Sequence, residues 1–385
     1  MPRKVAIVGV GLTKTATRRN DVMHPELLYE AISAALKDAG ITMEGIDSVV
    51  YGSMDPFDGI NCPDKWDVDV CGGALNKPYM KVTTGGTTGI SIALAGYYHV
   101  ASGLYDTCLA VSCQRVGENV DAQLVLNTCV DPVFERHTGV GAITVGAFQA
   151  TAHMAKYGTT HEQRLMVRVN DNANAVNNPY AHLRFEMTLD AALATRIISW
   201  PLRLADCCPR SDGACALIFA SEEKTKEITD NPAWVKAAGS ISDTYWPAKP
   251  IADWDNLAML GRRIYRMAKI EKPIKEIDYA ELYDAFTIQQ ILELEAFGFC
   301  KRGEGGKLVE KGVTKKDGEI PVNMSGGVLC TNPIGATAMI RVAEAALQVM
   351  GKADRRQVAD VETALAHGWG GTLQFHGSMI LGKNP

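Results

Sequence analysis

Apolar and polar residues alternate along the chain in two periodicities, which predict strands and helices in turn. Residues 5–10 form a short apolar run that ends at Gly11, which is typical of a buried strand. In His24–Ala39 the apolar residues recur every three or four positions and the pattern stops at Gly40, so we expect a helix there. The alternation continues through a strand at 49–51, a helix at 89–101 and a strand at 107–112. This order favours helices packed on a mostly parallel sheet.

The order of these elements repeats in the second half of the chain. Residues 31–54 and 262–286 both run from a helix through an Ile-Asp pair into a strand. In each half a Gly-Gly turn then precedes a helix of small residues, at Gly85-Gly86 and at Gly326-Gly327. The repeat indicates an internal duplication, and chance similarity between βα units is the alternative interpretation.

The duplication predicts two domains, residues 1–228 and 233–385, and the first of them includes a less regular segment. We call this segment, at about 117–201, the covering segment, because such insertions often close over a site and move when ligand binds. A plain structural loop is the alternative. The Asn-rich stretch 170–178 is typical of turns and surface loops. Residues 301–318, rich in Gly and Lys, are predicted to form an exposed loop whose cations could meet phosphates.

Composition limits the classes of function. The chain has 385 residues, 46% of them hydrophobic, with a formal net charge of −5 and no dense basic patch, which argues against a nucleic-acid partner. No run of about 18 apolar residues predicts a membrane span. The N-terminus lacks the apolar core of a signal peptide, so we expect a cytoplasmic protein. The ten cysteines include no CxxC pair, which predicts reduced thiols and no metal site.

Several segments together resemble the thiolase superfamily, in its sterol-carrier-protein and archaeal branch. The resemblance covers nearly the whole chain and depends on the order and spacing of segments 105–110, 206–214, 281–286, 322–327, 332–337 and 366–371. It implies an α/β thiolase fold, with two duplicated βαβαβαββ halves in five α-β-α-β-α layers. It also implies a homodimer that acts on acyl-CoA, with coenzyme A as co-substrate and no permanently bound cofactor.

The residues at the family's catalytic positions depart from its pattern. Thiolases use a cysteine at a helix N-terminus as the nucleophile and a Gly-His-Pro histidine to activate it. Here the resemblance assigns these positions to Gly86 and Asn332, which can supply neither a thiol nor a base at neutral pH. Tyr283 occupies a position that is His or Asn in the family, and His367 lies at or near the second cysteine. The chain thus resembles atypical thiolases without that cysteine, such as the benzoylsuccinyl-CoA type.

The first mechanism that follows is direct attack of the CoA thiolate on the ketone of a bulky 3-oxoacyl-CoA, giving thiolytic cleavage or, in reverse, Claisen condensation. His367 would act as the base and later protonate the enolate. Asn332 and the backbone at Gly85, Gly86 and Gly371 are the predicted oxyanion and helix N-terminus positions. This acyltransferase chemistry is favoured because segment 332–337 keeps the thiolase-like Asn-Pro-x-Gly-Ala pattern.

Three alternatives stay open. Cys330, two residues before Asn332, is a candidate relocated nucleophile. Tyr283 is a candidate base for a retro-aldolase that cleaves a 3-hydroxyacyl-CoA without CoA attack, since thiolase-fold aldolases carry a similar Tyr-Asp-Ala-Phe motif. The third alternative is that the chain is a non-catalytic scaffold subunit with the thiolase fold. The resemblance also implies a separate small partner with a zinc ribbon and an OB-like fold.

Overall fold

Strands and helices alternate in the structure, a computed structural model that describes residues 3–116, 120–245, 251–371 and 373–385. The first residues of the predicted covering segment, 117–119, lie outside the described residues. The strands are β1 (Val5–Leu12), β2 (Ser48–Gly52), β3 (Tyr79–Lys81), β4 (Thr107–Arg115), β5 (Ile197–Ser199), β6 (Leu202–Arg203), β7 (Asp212–Ser221), β8 (Ala233–Ser242), β9 (Tyr279–Glu281), β10 (Thr363–Gly370) and β11 (Phe375–Gly382).

The α-helices are α1 (His24–Ala39), α2 (Asp55–Asp58), α3 (Asp64–Asp67), α4 (Thr88–Ala101), α5 (Ala122–Asn127), α6 (Ala142–Tyr157), α7 (His161–Ala175), α8 (Leu189–Leu193), α9 (Glu222–Ile228), α10 (Asp255–Ala268), α11 (Pro273–Glu276), α12 (Thr287–Ala296), α13 (Gly305–Glu310), α14 (Gly327–Cys330) and α15 (Ile334–Val349). Short 3₁₀ helices occur at Met43–Gly45, Gly73–Leu75, Arg136–Thr138, Leu204–Asp206 and Asp354–Arg356. Within the described ranges no helix combines the length and the apolar character needed to cross a bilayer.

Helix α1 spans the residues that the sequence pattern predicts. Its start is closed by Glu26, whose carboxylate accepts a hydrogen bond of 2.7 Å from the backbone N–H of Met23. Its end is Gly40, at φ +67°. The apolar face of α1 lies so close to β1 that a Cβ on Gly11 would come within 1.9 Å of the Ala31 carbonyl oxygen. A glycine is therefore required where the strand passes beneath the helix.

Nine of the described strands form one sheet in the order β3-β2-β4-β7-β1-β8-β11-β10-β9, and β5 and β6 form a separate pair. Strands β1 and β8 meet at its centre, where Ala6 pairs with Trp234. From this junction the order outward is β1-β7-β4-β2 on one side and β8-β11-β10-β9 on the other, which agrees with duplicated halves. The prediction of a mostly parallel sheet is wrong, because β7 and β11 run antiparallel to both of their neighbours. The pairs β2–β4 and β9–β10 are parallel.

Helices α4 and α15 pack against each other between the two halves of the sheet. A Cβ on Gly89 of α4 would lie 2.5 Å from the backbone nitrogen of Met339 in α15. Helix α15 contacts β10 as well as β4 and β7, while α1 contacts β1 and β7 and α10 contacts β8 and β11. Helix α1 thus covers the β1 half of the sheet, α10 covers the β8 half, and α4 and α15 contact both halves, as the predicted thiolase fold requires.

Two local predictions about loops are wrong in part. The Asn-rich stretch 170–178 begins inside α7, where Asn170, Asp171 and Asn172 are buried rather than in a surface turn. Segment 301–318 contains the helix α13, and its Val309 is completely buried. In both cases contacts with distant elements decide the structure, and local composition cannot report such contacts.

Candidate functional site

The turn between β3 and α4 contains Gly85 and Gly86 and is closed by hydroxyl groups. Gly85 adopts φ +57°, and its carbonyl accepts a hydrogen bond of 2.6 Å from the Thr88 hydroxyl. The same hydroxyl oxygen accepts a bond of 3.0 Å from the backbone N–H of Thr84. The Thr87 hydroxyl donates to the Thr84 carbonyl at 2.5 Å. The N-terminus of α4 thus carries alcohols, and no ionisable side chain lies within the turn itself.

Gly86 packs directly against the end of β10. A Cβ at position 86 would lie 3.1 Å from both the Gly370 Cα and the Trp369 carbonyl oxygen. In the other direction, a Cβ on Gly370 would lie 2.4 Å from the backbone nitrogen of Thr87. The two glycines therefore let the turn and the strand approach each other, and a larger residue at position 86 would press on Trp369 and Gly370. Gly371 follows at φ +71° in the turn that leaves β10.

Tyr283 lies beside this contact. Its backbone carbonyl accepts a hydrogen bond of 2.7 Å from the Trp369 indole N–H, and the two rings meet edge to face with centroids 5.6 Å apart. The Tyr283 phenol is almost completely buried, and the Thr337 side chain is one of its neighbours. Burial, with a smaller contribution from Cys208, raises the pKa of Tyr283 above its ordinary value. Tyr283 is therefore a neutral hydrogen-bond donor at physiological pH.

Asn332 connects this tyrosine to a thiol. Its side-chain oxygen accepts a hydrogen bond of 2.8 Å from the Thr337 hydroxyl, and its amide nitrogen donates to Cys208 Sγ at 3.2 Å. Burial raises the pKa of Cys208 to about 12, so the thiol stays protonated at neutral pH. We call Tyr283, Thr337, Asn332 and Cys208 the Tyr283 cluster. It provides hydrogen-bond donors and acceptors without a full charge.

Two members of the cluster are missing from the residues predicted from the sequence. Cys208 belongs to the family-like segment 206–214, and Thr337 to segment 332–337. Their positions in these two family-like segments were the sequence feature that could have identified them as site residues. Cys208 and Asn332 are 124 residues apart, and no local pattern indicates that they meet.

His367 lies in β10, and both of its ring nitrogens have hydrogen-bond partners. Nδ1 is 3.1 Å from a Glu293 carboxyl oxygen, and Nε2 is 3.1 Å from Nδ1 of His376. The ring is completely buried. Burial and the neighbouring His376 lower the pKa of His367 well below its ordinary value. His367 is thus a neutral member of a buried Glu-His-His chain.

Cys330 ends α14 and is also completely buried. Its side chain packs with Ala175 and Ala181 of the covering segment, and its sulfur lies 3.6 Å from the side-chain oxygen of Asn172. Burial raises the pKa of Cys330 above its ordinary value. Although Cys330 is two residues from Asn332, its described contacts are with the covering segment and not with the Tyr283 cluster.

A cavity of about 470 Å³ opens beside the Gly86 turn. Its polar lining includes five hydroxyl groups, from the Gly86 turn, α4 and β8, and one guanidinium group. These belong to Thr84, Thr87, Ser91, Ser240, Ser242 and Arg263. Phe375 and Ile241 add apolar surface. The cavity can hold a group with both apolar and hydrogen-bonding parts.

Comparisons with known proteins agree with the sequence resemblance. Residues 249–383 match the family described as thiolase C-terminal domain-like. The chain is 34% identical over 376 residues to an acetyl-CoA acetyltransferase of Methanothermobacter thermautotrophicus, covering 96% of this chain and 97% of the relative. It is 29% identical to the benzoylsuccinyl-CoA thiolase subunit BbsB of Thauera aromatica, covering 96% of each chain.

Among solved structures, the Ltp2-ChsH2(DUF35) aldolase is similar over its whole length. It superimposes with a TM-score of 0.85 at 26% sequence identity, and the match covers 100% of this chain and 98% of the aldolase chain. One fold therefore accommodates relatives named for two different ways of breaking a carbon–carbon bond.

Proposed function

The chain belongs to the thiolase family, and on that premise we propose that it catalyses CoA-dependent thiolysis of a 3-oxoacyl-CoA, or the reverse condensation, without an acyl-enzyme. The observation that carries this proposal is the packing of Gly86 against Trp369 and Gly370, with Cβ clearances of 3.1 Å. The resemblance places the usual nucleophile at Gly86, which has no side chain, and the end of β10 lies in close contact with this position. The nucleophile is then the second substrate, coenzyme A.

In the proposed reaction the CoA thiolate attacks the ketone carbon, and a carbon–sulfur bond forms. The bond between that carbon and C2 breaks, which leaves a new acyl-CoA and the enolate of acetyl-CoA. The proton lost by the CoA thiol is balanced by the proton that the enolate gains. A thiol near the N-terminus of the 14-residue helix α4 would be more acidic, because the helix dipole favours the thiolate.

Tyr283 is the proposed proton donor to the oxyanion and enolate. Its raised pKa keeps the phenol protonated, and Thr337 and Asn332 orient it through the bond of 2.8 Å between them. Asn332 acts in this proposal as a positioning residue, because its side-chain oxygen accepts from Thr337 and its amide nitrogen donates to Cys208. Gly85, Gly86 and Gly371 remain candidate backbone donors to the oxyanion.

His367 and Cys330 have no direct part in this version of the mechanism. The bonds of His367 to Glu293 and His376 support a role in holding β10 and β11 beside Gly86. The burial of Cys330 against the covering segment argues against a relocated nucleophile. A His367→Gln variant is expected to lose stability while the pH profile of the remaining activity stays that of the wild type.

The cavity beside the Gly86 turn supports a bulky acyl group. Replacing Ser91 by Trp would fill part of its volume of about 470 Å³. We expect Ser91→Trp to lower kcat/KM for an arylacyl substrate and to leave acetoacetyl-CoA turnover close to wild type. An equal loss with both substrates would contradict this assignment of the acyl site.

A homodimer and a small zinc-ribbon partner belong to the same proposal. The solved aldolase carries DUF35 in its name, and the covering segment exposes large apolar side chains, among them Val133, Phe134 and Trp200. Light scattering of the purified chain tests the dimer. Co-purification with a coexpressed zinc-ribbon protein tests the partner, with a Phe134→Ser/Trp200→Ser double variant as the control.

The decisive experiment mixes the protein with a bulky 3-oxoacyl-CoA in the presence and absence of free CoA. The proposal expects two acyl-CoA products, only when CoA is present, and no acyl adduct on the intact protein by mass spectrometry. An adduct on any cysteine would overturn the non-covalent mechanism. A complete lack of turnover with the partner present would favour the scaffold alternative.

A retro-aldolase is the second candidate, favoured by Tyr283 and by the aldolase of 26% identity. In that reaction Tyr283 would accept the proton of a 3-hydroxyl group. The raised pKa of Tyr283 weighs against it, because a phenol that holds its proton more tightly starts the reaction in the wrong state for a base. Release of a carbonyl compound from a 3-hydroxyacyl-CoA without free CoA would identify the aldolase.

A further inference from the structure

Two buried carboxyl groups meet where the covering segment contacts the Tyr283 loop. Asp171 lies in α7 and Asp284 directly follows Tyr283, and both side chains are essentially inaccessible to solvent. The side-chain nitrogen of Gln290 lies 3.0 Å from Asp284 Oδ2 and 3.3 Å from Asp171 Oδ1. One amide thus donates to both carboxyl groups.

Gly327 indicates how closely the two carboxyl groups converge. A Cβ at this position would lie 2.6 Å from Asp284 Oδ1 and 2.9 Å from Asp171 Oδ2. The backbone N–H of the next residue, Val328, donates to Asp284 Oδ1 at 2.7 Å. The two carboxyl groups therefore face the same buried space beside Gly327. Two carboxylates that share a buried site repel each other, which favours the retention of a proton on one of them.

The surroundings of Asp171 disfavour its charged form. Burial, followed by the charge of Asp284, raises the pKa of Asp171 well above its ordinary value. The cation Arg168 of α7 acts in the opposite direction on the pKa of Asp171, and its guanidinium donates to the Leu329 carbonyl at 2.6 Å. The other titratable groups that act electrostatically on the pair are Cys208, Glu293, Cys330 and Arg341.

We infer that Asp171 and Asp284 share a single proton and act as a positioning pair, which joins the covering segment to the two loops of the candidate site. Asp284 is covalently next to Tyr283, and its bond to Val328 holds α14, which leads to Asn332. Loss of the shared proton places two like charges in contact and drives α7 away from the Tyr283 loop. The pair thus makes the geometry of the Tyr283 cluster depend on pH.

The first test measures unfolding as a function of pH and needs no activity. The shared proton raises the pKa of Asp171 in the folded protein above its value of about 4 in the unfolded chain. Proton binding therefore stabilises the folded state at low pH, and this stabilisation is lost as the pH rises from the unfolded pKa through the folded pKa. Asp171→Asn keeps the shape of the side chain and its ability to form a hydrogen bond, but it removes the carboxyl group that titrates. The unfolding equilibrium constant of the wild type is expected to rise about tenfold per pH unit relative to this variant.

Infrared spectroscopy gives an independent measurement. The protonated-carboxyl band at neutral pH is expected to lose the intensity of one carboxyl group in Asp171→Asn, while the exposed Asp230→Asn keeps the wild-type intensity. Parallel unfolding curves for wild type and Asp171→Asn, together with an unchanged infrared band, would overturn the inference.

The positioning role rests on the proposed function and has its own measurement. Wild-type kcat is expected to fall at alkaline pH, Asp171→Asn to keep its activity to higher pH, and Asp171→Ala to lose activity throughout. Identical alkaline limbs in the wild type and Asp171→Asn would refute the positioning role. If the protein shows no thiolysis at all, the unfolding and infrared measurements still decide whether the proton is shared.

Discussion

The two Gly-Gly turns precede helices in the two halves of the molecule, and their surroundings are opposite. Gly85-Gly86 is partly exposed, is closed by threonine hydroxyls and lies beside the end of β10. Gly326-Gly327 is buried, and the carboxyl groups of Asp171 and Asp284 lie against it. The first turn holds no titratable group, whereas the second lies within a dense set of them.

This difference suggests how the chemistry is divided between the halves. Gly86 carries no side chain and lies in close contact with the backbone of β10, so in the proposed mechanism this turn contributes only its N–H groups and the helix dipole. Around Gly327, the buried polar groups hold the loops that carry Tyr283 and Asn332. In the proposed mechanism the C-terminal half supplies the proton donor, and the N-terminal half supplies the place where CoA reacts.

The largest expected effect is at Tyr283. Tyr283→Phe removes the proposed donor while keeping the ring contact with Trp369, so kcat is expected to fall about 10²–10³-fold with little change in KM. Steady-state thiolysis kinetics measure this loss. Thr337→Val, which removes only the orienting hydroxyl, should show a smaller decrease. A Tyr283→Phe variant with wild-type kcat would eliminate the phenol from the mechanism.

The next largest expected effect is a difference in stability between alanine variants of the two Gly-Gly turns. Gly327 adopts φ +64°, and an added Cβ would meet Asp284 Oδ1 at 2.6 Å, so Gly327→Ala is expected to lower the free energy of unfolding by about 2–4 kcal/mol. Gly86→Ala meets its neighbours at 3.1 Å and should lose about 1 kcal/mol or less. Urea denaturation compares the two variants. Equal decreases in the free energy of unfolding would mean that the two turns are packed equally tightly.

A third variant asks whether the first turn can regain a nucleophile. Gly86→Cys is expected to be no faster than the wild type, because position 332 carries an asparagine that cannot accept the thiol proton. Intact-protein mass spectrometry after incubation with the 3-oxoacyl-CoA is expected to detect no acyl group at position 86. A covalent adduct with faster turnover would show that the missing cysteine alone separates this chain from covalent thiolases.

The smallest expected effect is at Cys330. Its thiol is enclosed by Ala175 and Ala181, so Cys330→Ala should leave kcat close to the wild-type value and lower stability by about 1 kcal/mol. The same kinetic and urea measurements apply, with the exposed Cys62→Ala as the matched control. A large loss of kcat without loss of stability would restore Cys330 as a relocated nucleophile.

Much of the fold was predictable from the sequence. The helix His24–Ala39 follows from apolar periodicity and a terminal glycine, both of which are local. The order of short motifs indicated the family, and the relatives confirm both the family and an acyltransferase of the thiolase type. The strand directions were less predictable, because periodicity indicates that a strand exists and not which neighbour it pairs with.

The sequence by itself also determined that Gly86 and Asn332 cannot act as thiol and base, because these are properties of the residue types. Only the tertiary structure decided what surrounds the remaining candidates. Cys208 meets Asn332 across 124 residues, His367 lies between Glu293 and His376, and Asp171 reaches Asp284 from the covering segment. These contacts, and the pKa shifts that they cause, depend on how distant elements pack together. The chemistry left to this site is therefore decided by its neighbours as much as by the residues in its motifs.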